Sequence, residues 1–232
     1  MQQIKLYLSF LIAIGLVLAC RKTNNATQSI VALNVINASV VAPSVYVYFT
    51  QTASNFYLQE SPVYYASSGE YSIPAGSSPL SVLSSSDTTT AIFQTNLSLA
   101  PGGIYSLYLS SGTGNQTGNQ LIRDTIPTYA DSSAGVRFIN LSTDSGPINI
   151  SLQGNNQNEF SSLVYEQITR FKTYPDNSNI LNSGGYNYVV SDASGNVLAN
   201  FNWIPRVFKN NTLVICGLDS LQTVQVFQVN NY

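Results

Sequence analysis

The sequence predicts an all-β chain built as two antiparallel β-sandwiches in tandem, and three observations predict it. From Ile30 onward apolar residues recur with period two, the pattern of strands that bury one face. Gly, Pro, Asn and Ser punctuate these runs at short intervals, and no segment sustains a helical period. A segment beginning at Val35 recurs at Phe138, which makes each copy about 100 residues long, the length of one seven- to eight-strand sandwich.

The elements follow in order. Val31-Ala32-Leu33-Asn34-Val35 places apolar residues at the odd positions of a first strand. In Ser44-Val45-Tyr46-Val47-Tyr48-Phe49, Val45, Val47 and Phe49 share one face, and Tyr46 and Tyr48 share the other. Further strands are expected at Tyr71–Ile73, Leu80–Leu83, Ala91–Leu99, Ile104–Leu109 and Leu121–Thr125. In the second half they are expected at Val136–Leu141, Ile148–Leu152, Tyr186–Val190, Val197–Phe201, Thr212–Cys216 and Val224–Val229. Turns separate them at Pro74-Ala75-Gly76, Pro101-Gly102-Gly103, Ser145-Gly146-Pro147, Gly184-Gly185 and Ser194-Gly195-Asn196. Phe160–Arg170 is the best helical segment, and it is short with β-branched residues at its end.

Ahead of the strands, Lys5 precedes a short apolar run, Leu6 to Ala19, that closes on Val17-Leu18-Ala19-Cys20. The pattern resembles a bacterial lipoprotein signal, in which a small residue precedes the cleaved bond and the following thiol takes a diacylglyceryl thioether and acyl chains such as palmitate. A stable membrane span needs about 20 apolar residues, more than this run supplies. The expected organisation is a signal peptide at 1–19, a lipidated tether at 20–30, one sandwich at 31–127 and a second at 134–232, with Cys20 as the lipidation site. At about 3.3 Å per residue the polar residues Arg21 to Ser29 reach at most roughly 30 Å, which keeps the folded part close to the bilayer. Arg21-Lys22-Thr23 lacks an Asp after the cysteine, which favours the outer membrane of a Gram-negative envelope and leaves both orientations, periplasmic and cell-surface facing, open.

Composition narrows the chemistry. The chain holds no histidine, which removes the Ser-His-Asp triad and the commonest transition-metal ligand. With 9 bases against 11 acids, it has too few cations to neutralise a run of phosphates, so nucleic acid is excluded as an expected partner. Once Cys20 is acylated, Cys216 is the remaining thiol, and its setting in Leu213-Val214-Ile215-Cys216-Gly217 reads as a buried, inert side chain. Neither a disulfide nor a cofactor or metal is expected.

The repeat is explicit. Val35-Ile36-Asn37-Ala38-Ser39, followed by Pro43, matches Phe138-Ile139-Asn140-Leu141-Ser142, followed by Pro147. The segment Gly135-Val136-Arg137-Phe138-Ile139-Asn140-Leu141-Ser142-Thr143-Asp144, with Pro74-Ala75-Gly76 and Leu99-Ala100-Pro101-Gly102-Gly103-Ile104-Tyr105, resembles the bacterial "domain of unknown function 4397" family. Thr143 stands where the family has Pro, and Asn149 where it has Asp. The resemblance implies exported, lipid-anchored, tandem Ig-like or transthyretin-like antiparallel sandwiches, and no enzyme activity.

Remaining polar and aromatic residues support binding or packing. Asp144 reads as a turn former, since no second acid lies close enough in sequence to complete a calcium site. Asp87 with Asp192, and Glu159 with Glu166, are the carboxylates a glycosidase would need, and nothing in their spacing singles out a pair. Tyrosine is abundant at 15 residues, and Tyr46, Tyr48 and Tyr64 are the candidate ligand contacts, able to stack on a sugar or anchor a protein if they form an exposed row. Trp203, alternating with Phe201, is expected in the core. The expected function is that of a non-catalytic cell-envelope lipoprotein, held on the membrane by its lipid, with a binding, adhesive or structural role toward a glycan or protein. A carbohydrate-binding accessory lipoprotein and a pilus-like subunit are the alternatives.

Overall fold

The computed structural model describes residues 29–49, 61–112, 117–176 and 178–231. The expected signal segment at 1–19, the expected lipidation site Cys20 and the expected tether up to residue 28 lie outside the described residues. The first half contains β1 (Ile30–Ala38), β2 (Ser44–Tyr48), β3 (Val63–Tyr64), β4 (Ser67–Pro74), β5 (Gly76–Ser84), β6 (Asp87–Leu99), β7 (Ile104–Ser111) and β8 (Thr117–Arg123). The second contains β9 (Ser133–Asn140), β10 (Ile148–Leu152), β11 (Asn158–Leu163), β12 (Lys172–Pro175), β13 (Tyr186–Ser191), β14 (Val197–Trp203), β15 (Asn210–Cys216) and β16 (Gln225–Asn231). One short helix, α1 (Ser178–Asn182), sits between β12 and β13.

The strands form four sheets. In the first half the orders are β4-β1-β7-β8 and β3-β2-β5-β6; adding eight to every number gives β12-β9-β15-β16 and β11-β10-β13-β14, the two sheets of the second half. Within each half the first strand pairs in parallel with the seventh, β1 with β7 and β9 with β15, and all other pairs are antiparallel. The first two strands of each half lie in different sheets, whereas an immunoglobulin sandwich keeps A and B in one sheet. The all-β sandwich reading therefore holds in an eight-strand form whose strand order is not that of an immunoglobulin domain. Phe160 falls in β11 and not in a helix.

Alternation explains the two outer cores. Val31, Leu33 and Val35 of β1 meet Val45, Val47, Leu80, Val82, Leu107 and Leu109 between the first pair of sheets. Ala134, Val136 and Phe138 of β9 meet Ile148, Ile150, Tyr188, Val190, Trp203, Leu213 and Ile215 between the second. Trp203 is fully buried, its Nε1 donates to Asn211 Oδ1 at 3.0 Å, and the Tyr174 ring meets it edge-on at 5.6 Å. Burying such rings is among the larger apolar contributions a side chain makes.

A third core joins the halves. Strands β9 and β15 are buried at every position, and β1 and β7 nearly so, because sheet β4-β1-β7-β8 packs its second face on sheet β12-β9-β15-β16. Ile36, Ala38 and Tyr108 from one side meet Ile139, Leu141, Val214, Cys216 and Val229 from the other. The contact is reciprocal. The backbone N–H of Ala66 donates to Asn37 O and that of Glu166 to Asn140 O, which makes the preceding Tyr65 and Tyr165 equivalent in the repeat. Cys216 Sγ donates to the Tyr65 hydroxyl at 3.4 Å, while the Tyr165 hydroxyl shares a 2.8 Å hydrogen bond with Ser110 and donates to Ser111 O at 3.2 Å. Strand register makes Ser110 the counterpart of Cys216, so each half clasps the other through the same pair of positions. Two-fold self-complementary packing of this kind is the geometry of a symmetric dimer interface, here within one chain.

The repeated motif asparagine serves the fold. Asn37 Nδ2 donates to Ala42 O at 2.9 Å and Val63 O at 3.2 Å, and its Oδ1 accepts from the N–H of Ser39. Asn140 repeats this, donating to Leu163 O at 3.1 Å and accepting from the N–H of Ser142 at 3.0 Å. Both are fully buried, and each supplies the backbone of an edge strand and a connecting loop with partners that no ladder provides.

Candidate functional site

The best-defined concentration of charge lies where the first half hands over to the second. Strand β8 ends on Arg123, and its successor Asp124 is anchored by a backbone hydrogen bond to Ile104 O at 2.9 Å. Arg137 sits in the middle of β9 on the face turned to the first half, and Thr169, Arg170 and Phe171 lead into β12 at the neighbouring edge. Arg123, Thr125, Pro127, Arg137, Thr169, Arg170 and Phe171 line one cleft of about 420 Å³. Three of the chain's five arginines meet there.

The floor of the cleft is rigid. Arg137 is 5% exposed; its Nη2 makes an ion pair with Asp124, and its Nε donates to Thr212 Oγ1 at 2.8 Å. The Thr212 hydroxyl donates in turn to Asn231 Oδ1 at 2.6 Å, and the Ser106 hydroxyl donates to Asp124 Oδ2 at 2.7 Å. The guanidinium carbon lies 4.6 Å from the centre of the Phe171 ring, within cation–π range. Arg123 and Arg170 differ: both are exposed, and neither takes part in an ion pair among the described residues. A planar guanidinium presents a fork of donors that matches carboxylate or phosphate oxygens, so two such groups beside a fixed third one suit an oxyanion.

The repeat provides an internal control. Strand register makes Asn34 the counterpart of Arg137, Asn230 that of Arg123 and Glu70 that of Phe171. The sandwich therefore forms with neutral or acidic residues at these places, and the arginine cluster is peculiar to one side of the junction. A larger cleft of about 530 Å³ contains Glu70 and Asn230 with Arg206, Lys209, Asn210, Asn211 and Gln228. Its mixed charge and amide lining give it no comparable bias.

The sequence-selected tyrosines do not line up as one exposed row. Tyr64 is 62% exposed, Tyr46 is half-buried, and Tyr48 is only 4% exposed. Tyr46 and Tyr48 stand opposite Leu83 and Ser81 of β5, and these two partners are buried as well, so this face of the sheet is covered and alternation did not turn it to water. Cys20 lies outside the described residues.

Asp87, Asp144, Asp192 and Glu159 are occupied structurally. Asp144 accepts the backbone N–H groups of Asp219 at 2.8 Å and Ser220 at 3.1 Å, so it caps the β15–β16 loop. Partial burial opposes its ionisation, but these hydrogen bonds outweigh that and hold its carboxyl below the usual value. Asp87 and Asp192 each accept hydrogen bonds from residues two to four positions ahead in their own turns. Glu159 accepts from Lys172 and from the Tyr174 hydroxyl, which lower its pKa despite burial. Cys216 is fully buried, and burial pushes its thiol up to about 11. Among the described residues no group of three or more His, Cys, Asp or Glu side chains is placed to hold a metal ion.

Sequence reasoning missed the cleft. Its one available signal was the scarcity of base, which makes any convergence of arginines notable, but only the fold brings Arg123, Arg137 and Arg170 together. No curated protein matches the chain. The model of the family described as a domain of unknown function, DUF4397, matches residues 31–151, more than half of the chain, covering the first sandwich and the opening strand pair of the second. The chain belongs to that family.

Proposed function

We propose that this protein is a non-catalytic, lipid-anchored component of the outer membrane of a Gram-negative envelope, and that its arginine cleft captures an oxyanion-bearing ligand such as an acidic glycan. The anchoring part rests on the apolar run and the Val17-Leu18-Ala19-Cys20 ending, where a thioether at Cys20 with its acyl chains gives lasting attachment. The binding part is carried by a single observation: two exposed arginines that have no ion-pair partner among the described residues flank a third that is fixed in place, in a chain where charge is scarce. The absence of histidine and the structural hydrogen bonds made by Asp144 and Glu159 support a binding role over turnover.

Two arms test the reading. Metabolic labelling with a fatty acid tests the anchor: label in the wild type and none in Cys20→Ser supports it. For the cleft, oligogalacturonate, inorganic phosphate and a neutral hexose oligomer are compared as ligands. Uptake of either anion but not the neutral sugar, lost in Arg123→Gln/Arg170→Gln, supports capture and separates a carboxylate from a phosphate source. Equal retention of the neutral oligomer overturns it.

A further inference from the structure

The turns that precede the central parallel strands are equivalent in the two halves but chemically unlike. In the first half, Gly103 N–H donates to Ala100 O at 3.0 Å and Ala32 N–H to Gly103 O at 3.2 Å. In the second, Lys209 N–H donates to Arg206 O at 2.9 Å and Gly135 N–H to Lys209 O at 2.9 Å. The third turn residue is left-handed in both, with φ of 66° at Gly102 and 64° at Phe208. Pro101-Gly102 is the pairing this turn favours; Val207-Phe208 replaces it with a bulky aromatic in a conformation that L-residues avoid. Moreover, Phe208 is 57% exposed and packs into neither sandwich core, with Val207 at 38% and Ile204 at 52% beside it. Arg206 and Lys209, at the two ends of the turn, are exposed and form no ion pair among the described residues.

We propose that this turn is a membrane-docking tip, in which Val207 and Phe208 enter the headgroup–acyl boundary of an anionic bilayer while Arg206 and Lys209 meet its phosphates. A lipid surface is the occupant because the exposed apolar tip is small and carries a cation at each end. Three apolar side chains fall far short of the roughly 1,000 Å² that a specific protein interface buries, whereas a bilayer yields around a wedge of this shape. The flanking cations complement anionic headgroups, and aromatic and cationic residues together are the composition of the membrane interface. Backbone strain at Phe208 is retained although the sister turn shows the relaxed solution, which points to a role outside folding.

The test uses the chain from Arg21, which keeps every described strand and carries no lipid, so its outcome does not depend on acylation of Cys20. It is pelleted with phosphatidylcholine vesicles and with vesicles containing phosphatidylglycerol. Wild type is expected in the pellet with anionic vesicles. Phe208→Gly is expected to raise the melting temperature and yet to reduce pelleting about tenfold. Phe208→Leu keeps an apolar tip and retains pelleting, while Arg206→Gln/Lys209→Gln loses the preference for anionic lipid. Pelleting of Phe208→Gly at the wild-type level, or failure of the wild type to pellet, overturns the proposal; the second result leaves a protein surface as the occupant of the tip.

Discussion

Arg137 and Asp124 form an ion pair across the boundary between the two halves, with side chains only 6% and 1% exposed. Asp124 closes the first half and Arg137 lies inside the second, so the pair ties the connecting segment to the sheet it crosses. A buried charge left without its partner is costly. Asp124→Ala is expected to destabilise the protein by about 3–5 kcal/mol in urea unfolding, while Arg137→Met/Asp124→Leu recovers most of the loss because both charges go together.

Asn37 and Asn140 make the same loop-clamping hydrogen bonds in their respective halves. Replacing either with Ala strands buried backbone groups, each worth roughly 1–3 kcal/mol. Similar losses from Asn37→Ala and Asn140→Ala in denaturant melts are the expected result; a negligible loss from both would refute the clamp.

Acid should weaken the fold through Glu159 and Asp144. Their folded-state pKa values are depressed, so the stability they contribute is complete above the usual carboxylate range and disappears as pH falls through the lower folded values. Melting temperature should therefore decline as pH drops below about 4. Glu159→Gln is already neutral and should show a shallower decline.

Cys216 should be silent in the native state. It is fully buried, hydrogen-bonded to Tyr65, and its thiol is pushed up to about 11. Iodoacetamide at neutral pH is expected to leave native protein unmodified and to label Cys216 once guanidinium unfolds it. Rapid labelling without denaturant would show that the junction between halves opens readily.

Much of the fold was legible because most strands bury a clean alternating stripe. Ile148-Asn149-Ile150 and Val45-Tyr46-Val47 needed only the period of two. Strands β3, β11 and β12 escaped, for they lie at sheet edges where one or two buried residues suffice: Val63 in β3, Leu163 in β11 and Tyr174 in β12. The rule also failed where both faces are covered. Tyr48 is buried on the face opposite its strand's core stripe, and Val214 and Cys216, in a run read as buried, pack against the other half. Nothing local could reveal that packing, because it arises from two sheets meeting across a hundred residues of chain. The arginine cleft was illegible for the same reason, since its members come from the end of β8, the middle of β9 and the approach to β12.

The most direct test of oxyanion capture is a calorimetric titration of oligogalacturonate and of inorganic phosphate into the chain from Arg21 at low and high salt. The cleft should give saturable binding of at least one anion that weakens with ionic strength, and Arg123→Gln/Arg170→Gln should lower its affinity tenfold or more, about 1.4 kcal/mol, without changing the melting temperature. Binding of undiminished affinity in the double variant, or no heat with either anion, would contradict it.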